Sequence, residues 1–159
     1  MKRTENRTAG VLCNVSSLPG PYGVGVFGEE ARYFLDTLHD MNFRWWQVLP
    51  FNPLDSMNSP YTSPSAFAGN ILYIDPRDLL RRGLITQEEE TAGRWDGTPY
   101  TAAYDFARER RLALLKTAFT RLDDTLRAEI AAFAEKREWL ADFSLYMAVK
   151  EVNGQKPWW

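Results

Sequence analysis

The spacing of apolar and polar positions changes along the chain, and the changes mark its elements. Val11-Leu12-Cys13-Asn14-Val15 is a short, nearly continuous apolar run and predicts a buried strand. It ends in Ser16-Ser17-Leu18-Pro19-Gly20-Pro21-Tyr22-Gly23, where prolines and glycines interrupt regular structure. From Glu29 to Met41 the residues Ala31, Phe34, Leu35, Leu38 and Met41 recur at helical spacing. Glu29 and Glu30 open that segment, where the positive end of a helix dipole favours acids. Trp45 to Leu49 predicts a second strand, stopped by Pro50. Strand, helix and strand in this order form a βαβ unit with parallel strands.

Beyond Asn70 the helical period takes over. Ile71-Leu72-Tyr73-Ile74 predicts a short extended or buried segment, and Pro76 to Arg82 a short helix closed by Gly83. Thr86 followed by Glu89 has the capping-box spacing that starts another helix. Arg94 to Tyr100, with Gly97 and Pro99, is loop. Tyr104 to Leu122 predicts a longer helix with Leu115, Ala118, Phe119 and Leu122 on one face. Two more follow, from Thr125 to Lys136 and from Glu138 to Val152, the last stopped by Asn153-Gly154. Residues 1–75 therefore open an α/β architecture, and residues 76–159 form a helical insertion. Two parallel strands do not make a stable sheet alone, so the architecture is begun rather than finished.

Composition narrows the function. The 159 residues are 45% apolar and 25% charged, as in an ordinary soluble domain. A net charge of −2 speaks against nucleic acid as the main partner. No apolar run approaches the ~20 residues that span a bilayer, so no membrane partner is expected. The charged start, Met1 to Arg7, is followed by no apolar stretch of the signal-peptide kind. The single cysteine, Cys13, cannot form an internal disulfide or a multi-cysteine metal site, and reads as a buried thiol. These features point to the cytoplasm. Trp158-Trp159 at a free end would expose much apolar surface, which reads as a chain cut before its next element.

Gly23-Val24-Gly25-Val26-Phe27-Gly28 fits the G-x-G-x-x-G pattern of dinucleotide sites. It stands too far from the preceding strand, Pro19 and Pro21 stiffen the approach, and Leu49-Pro50-Phe51 offers no acid for a ribose. The glycines read as shaping a loop, and no cofactor is expected. His39, the only histidine, lacks partners for zinc or for a serine triad and reads as a surface helix residue. Glu88-Glu89-Glu90 and Arg108-Glu109-Arg110-Arg111 read as solvated helix faces.

One loop carries a sharper signal. Asn58-Ser59-Pro60-Tyr61-Thr62-Ser63-Pro64-Ser65-Ala66-Phe67-Ala68-Gly69-Asn70 follows the second strand and combines hydroxyls, an amide and aromatic faces. Sugars need hydrogen bonds for their hydroxyls and a flat apolar surface for their C–H faces. Tyr61 between Pro60 and Pro64 is a ring on a stiff support, which limits the entropy lost on binding. A core tyrosine under a long loop is the competing reading. Loops at the C-terminal ends of parallel strands form the ligand side of α/β folds.

Ser17-Leu18-Pro19-Gly20-Pro21-Tyr22-Gly23-Val24-Gly25, Trp46-Gln47-Val48-Leu49-Pro50, Ser59-Pro60-Tyr61 and Ser65-Ala66-Phe67-Ala68-Gly69-Asn70 come in order. Together they resemble the N-terminal portion of 4-α-glucanotransferases (amylomaltase, or disproportionating enzyme). Trp139-Leu140-Ala141-Asp142-Phe143 and Met147-Ala148-Val149-Lys150 still fit. The resemblance implies the first two strands of a (β/α)₈ TIM barrel with a helical insertion subdomain. It implies retaining transfer of α-1,4-glucan segments to an acceptor glucan or glucose, with no metal or other cofactor. Retaining enzymes use two carboxyl groups about 5–5.5 Å apart. The motifs that carry them in this family lie beyond residue 159, so the chain alone is expected to be inactive. Among its residues, Tyr61, Ser59, Trp46 and Tyr104 are implied contacts for α-1,4-glucans and maltooligosaccharides. Tyr104 would match an aromatic of a secondary glucan site, although Leu54-Asp55-Ser56-Met57-Asn58 holds no second ring. A non-catalytic glucan-binding module is the alternative.

Overall fold

The computed structural model describes residues 7–156. Residues 1–6 of the charged opening segment and the terminal Trp158-Trp159 pair discussed above lie outside the described residues. Strands β1 (Gly10–Leu12) and β2 (Trp45–Gln47) pair in parallel, with Gly10 opposite Trp45, Val11 opposite Trp46 and Leu12 opposite Gln47. Both are shorter than the apolar runs suggest. The ladder continues through one further bond, Cys13 N–H to the Gln47 carbonyl at 3.0 Å. Val15 to Ser17 then coils into a 3₁₀ turn in which Val15 is fully buried. The buried run is therefore two elements, a strand and a turn, which hydrophobicity alone does not separate.

Helix α1 (Glu29–Asp40) crosses between the strands. Ala31 and Leu38 of its apolar face are buried, and the Phe34 ring meets Trp46 edge-on at 5.1 Å between centroids. Leu35 and Met41, from the same expected face, are exposed. On the sheet, Val11 and Trp46 are half-buried on one side, while Leu12 and Trp45 are exposed on the other.

Ile71–Tyr73 is a 3₁₀ turn, not an extended segment. The Asn70 side chain accepts the Leu72 N–H and favours the turn, and Leu72 and Tyr73 are buried as expected. Helix α2 (Pro76–Arg81) starts on Asp75, whose side chain accepts the Arg77 N–H, and Pro76 occupies the first turn, where its missing N–H costs nothing. Gly83 follows with φ +70°, the left-handed conformation that glycine adopts without strain. In α3 (Gln87–Ala92) the capping box is complete in both directions, Thr86 to the Glu89 N–H and Glu89 to the Thr86 N–H. Three further helices follow: α4 (Tyr104–Thr120), α5 (Asp124–Glu135) and α6 (Glu138–Val152).

The buried stripe of α4 is Ala107, Arg111, Leu114 and Ala118 rather than the Leu115–Phe119 face. Phe119 is exposed and carries the Arg127 guanidinium 5.7 Å above its ring centre. Leu114 and Ala118 pack with Leu79, Leu84 and Ile85 into one core, joined by the half-buried Leu115 and Leu122. Ala107 joins Val24 and Leu72 in a second core flanked by Leu54 and Tyr104. This second core brings together the glycine loop, the 3₁₀ turn and α4. The helical half is thus packed directly onto the loops that follow the strands.

Candidate carbohydrate-binding rim

The loop after β2 is shaped by its own short polar side chains. The Asp55 carboxylate accepts the Met57 and Ser59 N–H groups on one oxygen, both at 2.8 Å, and the Thr62 hydroxyl on the other. The main chain closes the same turn, from Asp55 N–H to the Ser59 carbonyl and from Asn58 N–H to the Asp55 carbonyl, both at 3.1 Å. Asn58 sits at φ +60°, a left-handed position that asparagine tolerates better than most residues. Its side-chain oxygen accepts from Arg108 Nη2 of α4 at 2.9 Å, and Asp105 holds the other arm of that guanidinium. The hydroxyl and backbone donors around Asp55 hold its carboxyl below the usual carboxylate range, the Thr62 hydroxyl most strongly. With both oxygens taken, Asp55 is suited to anchoring rather than to nucleophilic attack.

This turn presents Ser59 and Tyr61. Pro60 between them is buried and fixes the turn to the body, while Tyr61 is 71% exposed. The Ser59 hydroxyl oxygen accepts the Tyr61 N–H at 3.3 Å, which leaves its own proton to donate. Further along, the Ser65 hydroxyl oxygen accepts the Phe67 and Ala68 N–H groups. Phe67 stacks on Trp139 of α6, 5.9 Å between centroids at 21°. Asn70 N–H to the Phe51 carbonyl at 2.7 Å closes the base of the loop. Behind it a cleft of about 440 Å³ opens between Leu54 and Pro64 of the loop, Leu112 of α4, and Phe143 and Met147 of α6. Tyr61 is therefore a displayed ring and not a core tyrosine.

The other two aromatic candidates sit differently. Trp46 gives its indole N–H to the Cys13 carbonyl at 2.8 Å and its ring to Phe34. Alternate strand residues face opposite sides, and this one faces α1. Tyr104 opens α4, half-buried, and donates its hydroxyl to Ser16 Oγ at 2.9 Å, so it clamps the loop after β1 to the helical half. The three glycines of the 23–28 stretch each have a local role. Gly23 turns at φ +78°, Gly25 lies against the Val15 and Leu18 backbone, and Gly28 leaves room for the Asp75 carboxylate at the start of α1.

Around Tyr22, in the loop after β1, lies a buried polar cluster that charge patterning conceals. Both charge runs were expected to be solvated, yet Glu90 is 0% exposed and Arg111 is 2% exposed. Glu90 accepts the Tyr22 hydroxyl, Gln87 Nε2 at 3.0 Å and Arg94 Nε at 3.1 Å. Burial above all, and then the bond to Glu90, pushes the Tyr22 hydroxyl far above the usual tyrosine range, so it stays a donor. The Tyr22 ring carries Arg77 at 5.5 Å and Arg111 at 5.6 Å from its centre. Desolvation draws the Arg111 guanidinium down to about 10. Arg77 binds both Asp75 oxygens through Nε at 3.0 Å and Glu30 through Nη2 at 2.6 Å, which ties α2 to the start of α1. No group of three metal-ligating side chains occurs among the described residues.

Parallel strands, loops gathered where those strands end, and a displayed tyrosine among hydroxyls define an α/β protein with a candidate ligand-binding rim. The 4-alpha-glucanotransferase family model matches residues 13–159, and the chain belongs to that family. It is 42% identical to the 4-alpha-glucanotransferase of Aquifex aeolicus, with 96% of this chain and 31% of that protein aligned. Against the 4-alpha-glucanotransferase of Thermus thermophilus it is also 42% identical, over 96% of this chain and 30% of the relative. The fold matches that of amylomaltase from Streptococcus agalactiae in complex with acarbose, with a TM-score of 0.88 at 33% identity, covering 95% of this chain and 31% of that one. The chain thus spans about 30% of the length of the Aquifex aeolicus and Thermus thermophilus relatives.

Proposed function

We propose that this chain supplies the N-terminal, glucan-binding part of a 4-α-glucanotransferase that moves α-1,4-glucan segments to an acceptor glucan or glucose by a retaining double displacement. Residues 1–75 open the (β/α)₈ barrel and residues 76–159 form its helical insertion. The observation that carries this reading is the displayed Tyr61 beside a Ser59 hydroxyl with a free proton. The ring offers a face to the C–H side of a glucose unit, and the hydroxyl donates to a sugar oxygen. Trp46 and Tyr104 complete the set from behind, one fixing β2 to α1 and the other fixing the loop after β1 to α4. The reaction is a cytoplasmic one in this reading, needs no cofactor, and involves neither nucleic acid nor membrane.

The catalytic carboxylates lie outside this chain, so it binds glucan but does not transfer it. Titration with maltoheptaose, followed by shifts of backbone amide signals, is expected to saturate, with the largest shifts at Ser59–Thr62. Tyr61→Ala is expected to weaken binding at least fivefold, roughly 1 kcal/mol, in line with the contribution of aromatic packing. Incubation with maltotriose is expected to leave it unchanged. Release of glucose together with longer oligosaccharides overturns the assignment of inactivity, and unchanged binding by Tyr61→Ala overturns the assignment of that ring.

A further inference from the structure

We propose that Asp55 is a positioning residue of the glucan rim, and that Arg108 of α4 braces the same turn through Asn58. The inference rests on the reading of Ser59 and Tyr61 as glucan contacts. Asp55 does not line the cleft behind the loop. Its oxygens instead collect three donors from the turn, the Met57 and Ser59 N–H groups and the Thr62 hydroxyl, spanning both sides of Tyr61. The Ser59 N–H bond fixes the residue whose hydroxyl is to donate, and the Thr62 bond fixes the residue just after the ring. The carboxylate therefore sets the direction of both contacts at once.

The brace is independent of those bonds. Asn58 is held at φ +60°, and Arg108 Nη2 bonds its side-chain oxygen at 2.9 Å across a sequence separation of 50. Arg108 is itself oriented by Asp105 at 2.9 Å. A helix of the insertion thus holds the tip of the turn, while Pro60 buries its middle. A stiff, correctly aimed loop loses less entropy on binding than a loose one, so affinity should follow the order of this turn. A loop detached from both anchors would keep Tyr61 in the sequence and lose it from the site.

The test uses the 159-residue chain with Asp55→Ala, Asp55→Asn, Tyr61→Ala and the Asp55→Ala/Tyr61→Ala double variant. Hydrogen exchange at the Met57 and Ser59 amides is expected to quicken at least tenfold in Asp55→Ala, with the melting temperature unchanged within a few degrees. Asp55→Asn keeps an acceptor for the two amides and is expected to restore most of the protection. Should Asp55→Ala lose its helical circular dichroism, Asp55→Asn alone carries the test, expected to lose affinity at least twofold. Maltoheptaose affinity is expected to fall at least fivefold in Asp55→Ala, and the double variant is expected to lose less than the product of the two single losses, because part of the Asp55 effect runs through Tyr61 and the rest through Ser59. Unchanged exchange at Ser59, or losses that add fully in the double variant, overturn the proposal. If the wild-type chain shows no saturable binding, the glucan reading fails, and the exchange ratio at Ser59 still decides whether Asp55 orders the turn.

Discussion

Replacing Tyr22 by phenylalanine removes one oxygen and almost nothing else. The tyrosine is 1% exposed, and its ring would keep its place between Arg77 and Arg111. The lost group is the hydroxyl that donates to Glu90, whose carboxylate is itself fully buried. A hydrogen bond to a charged group contributes about 1.5–3 kcal/mol. Glu90 keeps Gln87 and Arg94 as partners, so the loss does not leave a bare buried charge. For a chain of this size each kcal/mol lowers the melting temperature by about 2–4 °C, so Tyr22→Phe is expected to melt about 3–12 °C below wild type. Urea titration at low micromolar concentration, followed by circular dichroism, measures the free energy. Glu90→Gln and the double variant supply the coupling, expected at about 0.5–3 kcal/mol for groups in direct contact. A Tyr22→Phe chain within about 0.5 kcal/mol of wild type, the range of an ordinary surface change, would refute the view that this bond holds the loop after β1 to α3.

Gly25→Ala should be among the most damaging single changes in the chain. A Cβ there would stand 1.9 Å from the Val15 carbonyl oxygen and 2.8 Å from that of Leu18, both backbone atoms that cannot swing aside. A loss of about 3 kcal/mol or more is expected, at or above the upper end for overpacking, and a melting temperature equal to wild type would count against the close approach. Among the described residues the sheet has two strands, and its exposed face and outer edges predict self-association. Leu12 at 60% and Trp45 at 67% exposure lie beside unpaired backbone, an arrangement that other chains can pair with. Sedimentation at tens of micromolar should give a mass above the monomer, and a monodisperse monomer with a sharp cooperative melt would contradict it.

The βαβ order, every helix after Pro76 and the capping box at Thr86 were legible because each rests on local chemistry: period, caps and breakers. The elements that were misread depend on particular side-chain and backbone partners that periodicity does not register. Val15 reads as strand because it is apolar, yet its burial comes from a turn against Gly25. Ile71–Tyr73 reads as extended because it is short and β-branched at its start, yet the Asn70 side chain curls it. Leu35 and Met41 read as core, yet no described residue covers them, whereas Phe119 on α4 yields its expected place to Arg111.

The charge runs fail for the same reason, and the failure is informative. A run of three acids or of arginines says that a helix face is polar, not which member turns inward. Among Glu88, Glu89 and Glu90 the inward member is the one that meets the Tyr22 hydroxyl, and Tyr22 lies 68 residues away in the loop after β1. Glu89 stays partly exposed and pairs with Arg121, as the solvated reading expects. Likewise Arg111 turns inward to the Tyr22 ring, while Arg108 of the same run reaches the loop after β2 through Asn58. Two apparent solvation runs on α3 and α4 therefore attach the loops after β1 and β2 to the helical half. Glu90→Gln or Arg108→Ala should loosen loops that neither residue adjoins in sequence, read as faster amide exchange around Tyr22 or Asn58.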